Sequence, residues 1–489
     1  MGVLNVLAVR ADAPLADAVQ RQESARVQKL LSGKADANVA QADGMTALHW
    51  AARKEDAALV RSFLKAGANA NATNRYGITP LSIACEMGSG EVVALLLDAG
   101  AEANKRLRTG ETPLMTAART GKIAPVKALL AHEADVNAKE NSGQTALMWA
   151  AADGHAEVVD LLIKAGADFK TPLPSGFTPL LFAVRNGRAD VVDVLLKAGA
   201  DVNEATKPSR PAGRGPQSGM SPLLMAVENG HFELALHLVK AGADPNDQRA
   251  GYTALHNITW VRKPTHGEGD DGTPPPLGSG KIDSLGFVRE LVALGANLNE
   301  KIARGPGGKN AVNWTGATPF LFAAKSSDLP LLKLLRELGA DPLTTNVDGD
   351  NAILACAGLG TRQPDEVGET EEEVIETLDW LLKLGVDINA VDSNGETAMH
   401  AAAYKSFPLT VQFLAAHGAK IEIWNRKNKW GWTPLQIAEG FRTGCFSPSA
   451  KTIDAFQKIM LAAGVTPVAT VRDPNLNNDN YAPKKPASK

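Results

Sequence analysis

Cysteine, aromatic residues and long apolar runs are all scarce in this chain. It has 3 cysteines in 489 residues, too few and too scattered for a disulfide framework or a structural zinc site. Aromatic residues make up 5% of the sequence, which favours helices packed through small residues over a large β core. No apolar run approaches the roughly 18 residues that a membrane helix needs. The composition therefore predicts a soluble protein without a membrane span.

The chain also lacks an excess of charge of either sign. Its 51 Lys and Arg residues face 54 Asp and Glu residues, for a formal net charge of −3. This balance disfavours nucleic acid as the partner, because such binders depend on a positive surface. With 44% hydrophobic and 21% charged residues, the composition is that of an ordinary globular protein.

The two ends of the chain differ from its middle. The first residues read MGVLNVLAVRA, which has small residues near a possible cleavage point but lacks a basic start and a long apolar core. Residues 1–13 are interpreted as a signal-peptide remnant or as a leader before the first helix. The first alternative slightly favours a periplasmic or secreted protein over a cytoplasmic one, and the compartment stays open. Residues 465–489 lack apolar periodicity and are predicted to form a flexible tail; the alternative, a segment that lies along a partner, stays open.

A repeated pattern fills the middle of the chain. Segments of the form TALHWAA, TPLSIA, TPLMTAA, TALMWAA and TPLLFA begin at Thr46, Thr79, Thr112, Thr145 and Thr178, with a constant period of about 33 residues. Thr suits the N-cap of a helix, Pro suits its first turn, and the Gly of the later Ala-Gly-Ala-Asp stretch suits a helix end. One such unit cannot bury its own apolar face, so neighbouring units must stack.

This pattern resembles the ankyrin repeat, whose T-P-L-H-x-A signature recurs with that same period. The resemblance implies an all-α solenoid of about twelve helix–turn–helix repeats over residues 14–464, with β-hairpin-like turns, here called fingers, between repeats. It also implies that His49, His256 and His400, in the fourth place of the signature, form structural hydrogen bonds. The Ala-rich style, the leader and the long insertions are similar to those of exported bacterial ankyrin-repeat proteins.

Insertions interrupt the pattern only in the second half of the chain, and they are of two kinds. The first kind lengthens the fingers, carries basic residues and is framed by tryptophans; it lies near 204–219, 300–316 and 424–431. The second kind separates the two helices of one repeat; it lies near 261–283 and 358–370. Loops this long inside a compact array are usually functional or disordered.

Two groups of side chains are candidates for contact with a partner. The first lies five residues after the core Leu of each signature, at places that should face a concave groove and are here called the groove positions: Arg53, Arg119, Arg185, Trp260, Lys325 and Tyr404, interrupted by Glu86 and Glu228 among others. The second lies in or beside the insertions: Arg262, Lys263, His266, Trp314, Trp424, Arg426, Lys429, Trp430 and Trp432. Arg, Trp and Tyr are enriched in interface hot spots, although a solvent-facing helix position also tolerates Arg and Lys.

These observations predict a non-enzymatic scaffold that binds another protein through its groove and its basic, Trp-framed fingers, with repeats 2 to 6 as rigid support. The alternative is recognition of a glycan or small molecule by the Trp-rich C-terminal repeats. No catalytic residue, metal site or cofactor is predicted, because no Ser-His-Asp or Cys-His arrangement stands out and the Gly-rich stretch 305–310 lacks the residues of a phosphate loop. The partner's identity and the oligomeric state stay open.

Overall fold

The computed structural model describes residues 13–207, 218–263, 276–303, 313–361, 369–441 and 448–468. Throughout these residues the regular secondary structure is helical, which confirms the predicted all-α repeat architecture. The chain divides into two compact units, of which unit 1 extends to Val202 and unit 2 begins at Asn203.

In unit 1 the helices are short and form consecutive pairs. They are α1 Pro14–Gln20, α2 Ser24–Ser32, α3 Ala47–Arg53, α4 Ala57–Lys65, α5 Pro80–Met87, α6 Gly90–Asp98, α7 Pro113–Thr120, α8 Ile123–Ala131, α9 Ala146–Asp153, α10 Ala156–Lys164, α11 Pro179–Arg185 and α12 Ala189–Lys197. The odd-numbered members, here called first helices, pack against their own second helix and against the first helices of the neighbouring pairs.

Unit 2 repeats this arrangement with longer connections. Its helices are α13 Pro222–Glu228, α14 Phe232–Lys240, α15 Ala254–Arg262, α16 Ser284–Ala293, α17 Pro319–Lys325, α18 Leu329–Glu337, α19 Ala352–Ala357, α20 Glu371–Lys383, α21 Ala398–Lys405, α22 Pro408–Ala416, α23 Ile421–Trp424, α24 Pro434–Ala438 and α25 Ala450–Ala462. The first helices here are α13, α15, α17, α19, α21 and α24. Helix α20 begins at the capping box of Thr370 and Glu373, in which each side chain accepts a hydrogen bond from the other residue's backbone N–H.

The first helices begin at the Thr residues of the signature. Thr79 accepts a hydrogen bond from the backbone N–H of Ser82, as an N-cap should. Where the signature carries histidine, the ring extends this cap: Nδ1 of His49 lies 2.8 Å from Oγ1 of Thr46, and Nε2 lies 3.1 Å from the carbonyl oxygen of Ile78 in the next repeat. His256 and His400 make the same contacts, and burial lowers the pKa of each to about 4. The predicted structural role of these histidines is confirmed.

A ladder of asparagine side chains ties many of the repeats to the next one. Asn104 is typical: its Nδ2 donates to the carbonyl oxygen of Glu133 at 3.0 Å, and its Oδ1 accepts from the N–H of Asp135 at 2.7 Å. Equivalent pairs of bonds are made in unit 1 by Asn38, Asn71 and Asn137, and in unit 2 by Asn203, Asn246 and Asn389. The ladder satisfies backbone groups that the ends of the second helices leave open.

The fingers are closed by turn hydrogen bonds, and no strand is assigned within the described ranges. In a regular finger the N–H of Asn74 donates to the carbonyl of Ile78 at 3.0 Å, and the N–H of Arg75 donates to the carbonyl of Asp43 in the preceding finger. The described base of the insertion near 204–219 is closed by the same kind of turn hydrogen bond, because the N–H of Thr206 donates to the carbonyl of Met220 at 3.0 Å. Fingers are therefore hairpin-like in their hydrogen bonds without forming a sheet.

We predict that Asn104→Ala destabilises unit 1, because it removes both inter-repeat bonds of one ladder position. The expected loss is about 1–2 kcal/mol of unfolding free energy, since a net hydrogen bond contributes about 0.5–1.5 kcal/mol. Urea unfolding followed by circular dichroism measures it. Asn104→Asp keeps the acceptor but sets a carboxylate oxygen against the carbonyl oxygen of Glu133, so it should also destabilise the unit. An unchanged urea midpoint for Asn104→Ala would contradict the role of the ladder.

Candidate functional site

The groove positions of the first helices touch the fingers of their own repeats. Arg185 lies over the ring of Phe177 at 5.4 Å, Lys325 lies over the ring of Trp314 at 4.9 Å, and Trp260 meets the ring of Tyr252 edge-on at 4.8 Å. In each pair the second residue belongs to the finger that leads into that helix. In these three repeats helix and finger therefore contribute to one surface, here called the first-helix surface.

In unit 1 this surface pairs exposed arginines with aromatic rings. The guanidinium of Arg119 lies 5.1 Å from the ring of Trp149 on the next first helix. The guanidinium of Arg185 lies 5.6 Å from Phe182, and Phe182 in turn contacts Phe177 with ring centroids 5.2 Å apart. Arg53 is exposed at the equivalent place on α3. Cation–π stacking limits the motion of the guanidinium and leaves its N–H donors at the ring edge.

In unit 2 the surface is dominated by aromatic rings. Trp260 is half-buried and lies edge-on between Tyr252 and Phe322, whose centroid is 5.3 Å from its own. Phe322 also contacts Trp314, which Lys325 covers. Trp260 and Lys325 thus present a half-exposed ring and a cation above a buried aromatic layer.

Tyr404 belongs to a polar part of the same unit. Its hydroxyl donates to Oε1 of Glu396 at 2.8 Å, and Nδ2 of Asn428 donates to the same oxygen at 2.9 Å. Glu396 is 3% exposed, so the half-buried tyrosine ring closes over a carboxyl group.

Three of the tryptophans predicted to frame the fingers as contact residues lie in the interior. Trp314, Trp424 and Trp432 are 3%, 2% and 6% exposed. Trp424 is buried because its ring, at the end of helix α23, packs against Phe456 of α25, with the ring centroids 5.8 Å apart. The expectation that these three rings meet a partner is therefore corrected: they form core.

The remaining candidates of the last finger lie at its surface. Trp430 is half-buried on Trp432, with parallel rings 6.3 Å apart, and the ammonium of Lys429 lies 4.5 Å from the Trp430 ring. Arg426 is exposed, and its Nε donates to the carbonyl of Glu422 at 2.8 Å. Of the four Trp residues in this group, Trp430 alone keeps a solvent-facing ring.

The basic residues at the insertion near 261–283 are engaged in ion pairs. Arg262 donates from Nε and Nη2 to the two carboxylate oxygens of Asp328, at 2.7 and 3.0 Å, and Asp328 is 1% exposed. Lys263 pairs with Glu373 at 3.2 Å. The expectation that Arg262 contacts a partner is corrected, because its bidentate bond compensates a buried carboxylate. His266 lies outside the described residues.

A buried ion pair that sequence reasoning missed lies at the end of α21. Lys405 is 2% exposed and pairs with the carboxylate of Glu369, which is also buried. The lysine stem passes over Gly358, where an added Cβ would come within 2.4 Å of Cγ of Lys405 and where φ is +117°. The glycine at this groove position therefore makes room for the lysine.

Two buried carboxyl groups occupy a finger place that holds an apolar residue in several other repeats. Asp350 and Glu396 precede their N-cap residues, the place taken by Ile78 and Phe177 in unit 1. Burial raises the pKa of Asp350 to about 8 and that of Glu396 to about 7, with the nearby Asp392 adding to both shifts. Asn346 donates to Oδ2 of Asp350 at 2.6 Å.

The described residues offer little of what catalysis or metal binding needs. They contain no group of three or more His, Cys, Asp and Glu side chains that could hold a metal ion. Cys85 and Cys356 are fully buried, and burial raises the pKa of both thiols, which disfavours the reactive thiolate. No described helix is long and apolar enough to cross a membrane.

Comparison with known proteins identifies the repeats. A family model described as ankyrin repeats (3 copies) matches residues 15–107, 99–172, 114–206 and 370–445, and a single ankyrin-repeat model matches 218–249. The chain is also similar to palmitoyltransferase AKR1 of Lachancea kluyveri, with 29% identity over 151 residues. That match covers 31% of this chain and 18% of the relative, so the similarity spans less than a fifth of the transferase.

We predict that Trp424→Ala lowers the unfolding free energy by about 3–5 kcal/mol, as removal of a buried aromatic side chain does. Trp430→Ala, in the same finger but half-exposed, is the matched control and should cost much less. Differential scanning fluorimetry followed by urea unfolding separates the two. Equal losses for the two variants would show that Trp424 is not a core residue.

We also predict that the contribution of Asp350 to stability is lost as pH rises from about 4 to about 8. A carboxyl group whose pKa is raised on folding contributes its full stability below its unfolded value, 3.8 for Asp, and loses it as pH rises through the folded value, about 8 for Asp350. Asp350→Asn should reduce the difference between the urea midpoints at pH 5 and pH 9. Glu290→Gln, at an exposed place on α16, is the control; identical pH profiles for wild type and Asp350→Asn would contradict the assignment.

Proposed function

The chain belongs to the ankyrin-repeat family, and from this premise we propose that it binds another protein through the first-helix surface, chiefly that of unit 2. Ankyrin repeats generally mediate protein–protein interaction. Stacked repeats hold many side chains in place before a partner arrives, so little conformational entropy is lost on binding.

The observation that carries the proposal is the half-exposed ring of Trp260, which packs on the same Phe322–Trp314 layer that Lys325 covers. The ring rests on Phe322, which is 2% exposed, and its edge contact with Tyr252 keeps it in one orientation. A rigid aromatic side chain above a buried layer, with a cation next to it, has the composition of an interface hot spot. Lys429 and Trp430 offer the same pairing on the last finger.

The glycan alternative has less support. Aromatic recognition of a sugar needs ring faces that solvent can reach, and three of its four tryptophans are at most 6% exposed. Trp430 alone is too small a platform for the proposed site. The match to palmitoyltransferase AKR1 is confined to 18% of that protein and gives no ground for a transferase function in this chain.

Cross-linking mass spectrometry on the tagged chain, recovered from its native source, tests the proposal. We expect Lys325 and Lys429 to cross-link to one recurrent protein more often than Lys240, Lys383 and Lys458, which lie on the second helices α14, α20 and α25. Equal cross-linking of both sets would place the contact elsewhere.

The partner found in this way permits a sharper test with Trp260→Ala. Binding should weaken by about tenfold or more, as for a hot-spot aromatic. Trp380→Ala removes a half-buried tryptophan from second helix α20 and should leave the affinity unchanged. If Trp260→Ala binds as the wild type does while remaining folded, the unit 2 surface is not the site; a glycan that quenches indole fluorescence would then favour the alternative.

A further inference from the structure

We infer that the first-helix surface of unit 1 binds an extended acidic segment of a partner protein. This inference rests on the proposed protein-binding function, and it gives unit 1 a binding role in place of the rigid support predicted from its regular repeats. Five exposed arginines on the first helices and finger tips of this unit carry the argument: Arg53, Arg75, Arg108, Arg119 and Arg185.

The arginines fall into two rows set by the repeat period. Arg53, Arg119 and Arg185 occupy the groove positions of α3, α7 and α11, which follow one another at every second repeat. Arg75 and Arg108 lie one repeat apart at the tips of successive fingers. Two contacts show that the helix row and the finger row face the same side of the unit. Arg185 of α11 touches the finger residue Phe177, and Trp50 of α3 donates its indole N–H to the finger residue Gln41 at 2.7 Å.

Several of these guanidinium groups are held in place by aromatic rings. Arg119 lies on Trp149, and Arg185 lies on Phe182 and Phe177. At the finger tip, Arg75 lies 4.8 Å from the ring of Tyr76, which is 57% exposed. Stacking restricts where each guanidinium lies before a carboxylate arrives. Arg75 is held further, because its Nη2 donates to the hydroxyl of Tyr76 at 2.7 Å.

Acidic side chains on the same face are fewer than the arginines. Glu86, at the groove position of α5, and Asp153, at the end of α9, are exposed. The nearby finger carboxylates are already engaged: Asp43 accepts from the N–H of Met45, and Glu140 accepts from the N–H groups of Ser142 and Gln144. These carboxylates keep their negative charge, and so does Glu111 in the finger before α7. The arginines, joined by Arg106 and Lys139 of the fingers, still outnumber the acidic side chains, so the surface has a small positive excess.

The spacing favours a polypeptide over a nucleic acid. Neighbouring first helices lie about 9 Å apart, so arginines two repeats apart are separated by about 18 Å. A nucleic-acid backbone presents uniform negative charge at much closer spacing, and Glu86 and Asp153 would repel it. A polypeptide can place carboxylates only where the arginines stand. The distance from Arg53 to Arg185, about 36 Å, corresponds to about 11 extended residues.

The test uses the full-length chain and a fluorescein-labelled 12-residue peptide that carries Glu or Asp at positions 1, 6 and 11, about 17 Å apart in an extended chain, with Gly, Ser and Leu between them. Fluorescence anisotropy should show saturable binding at about 0.1 M salt that weakens strongly at about 1 M, where the Debye length falls from about 10 Å to about 3 Å. The same peptide with Gln and Asn in place of Glu and Asp should bind at least about tenfold more weakly.

The triple variant Arg53→Gln, Arg119→Gln and Arg185→Gln should lose about tenfold or more in affinity for the acidic peptide. The matched control removes three exposed cations from the second helices α4, α8 and α12, as Arg61→Gln, Lys127→Gln and Lys197→Gln, and should lose less than about twofold. Trp260→Ala, in unit 2, should leave peptide binding unchanged, so failure of the unit 2 surface and failure of this inference give different results.

Three outcomes would overturn the inference, provided circular dichroism shows each variant folded. They are no saturable binding of the acidic peptide, equal losses for the two triple variants, and tighter binding of a 12-nucleotide oligodeoxythymidine than of the peptide. Equal losses would mean that only the net charge of the chain matters. Preference for the oligonucleotide would assign the arginines to a nucleic acid.

Discussion

Each helix pair of this protein is too small to cover its own apolar face, and the fold follows from that constraint. The first helices are short and almost wholly buried, as α7 illustrates, where every residue from Pro113 to Ala118 is buried. Neighbouring pairs must supply the cover, and the pairs must therefore repeat in register. The Thr caps, the histidines that reach the next repeat and the asparagine ladder all act at the boundaries between pairs. Stability is thus concentrated in contacts that recur with the sequence period.

The same constraint explains where unit 2 contains buried charged side chains. Where an insertion separates the two helices of a repeat, a buried charge appears together with its compensation. The Arg262–Asp328 pair lies where an insertion separates α15 from α16, and Lys405 reaches Glu369 across the place that Gly358 leaves empty. Buried pairs of this kind contribute little net stability but are costly to break. They fix the geometry of a repeat whose backbone the regular pattern no longer determines.

Local features of the sequence predicted much of the fold and part of the candidate site. The Thr caps and the roles of His49, His256 and His400 depend on neighbours three residues away or one repeat away, so a periodic sequence reveals them. The burial of Trp424 depends on Phe456, which lies in a later helix without the signature, and no local pattern announces that contact. The bond of Arg262 to Asp328 crosses an insertion and joins two different repeats, and it is equally invisible in the sequence.

The residues that stabilise the repeat are different from those at the groove positions. The asparagine ladder, the caps and the core occupy fixed places in the regular repeats. The groove positions lie outside these places, and Arg, Glu, Ala and Trp all occur at them while the helix pair is kept. These positions are consequently able to vary in chemistry from one repeat to the next. Unit 1 carries stacked arginines at them and unit 2 carries Trp260, Lys325 and Tyr404. Two surfaces of different chemistry on one kind of repeat are the expected product of a fold whose stability depends little on its groove positions.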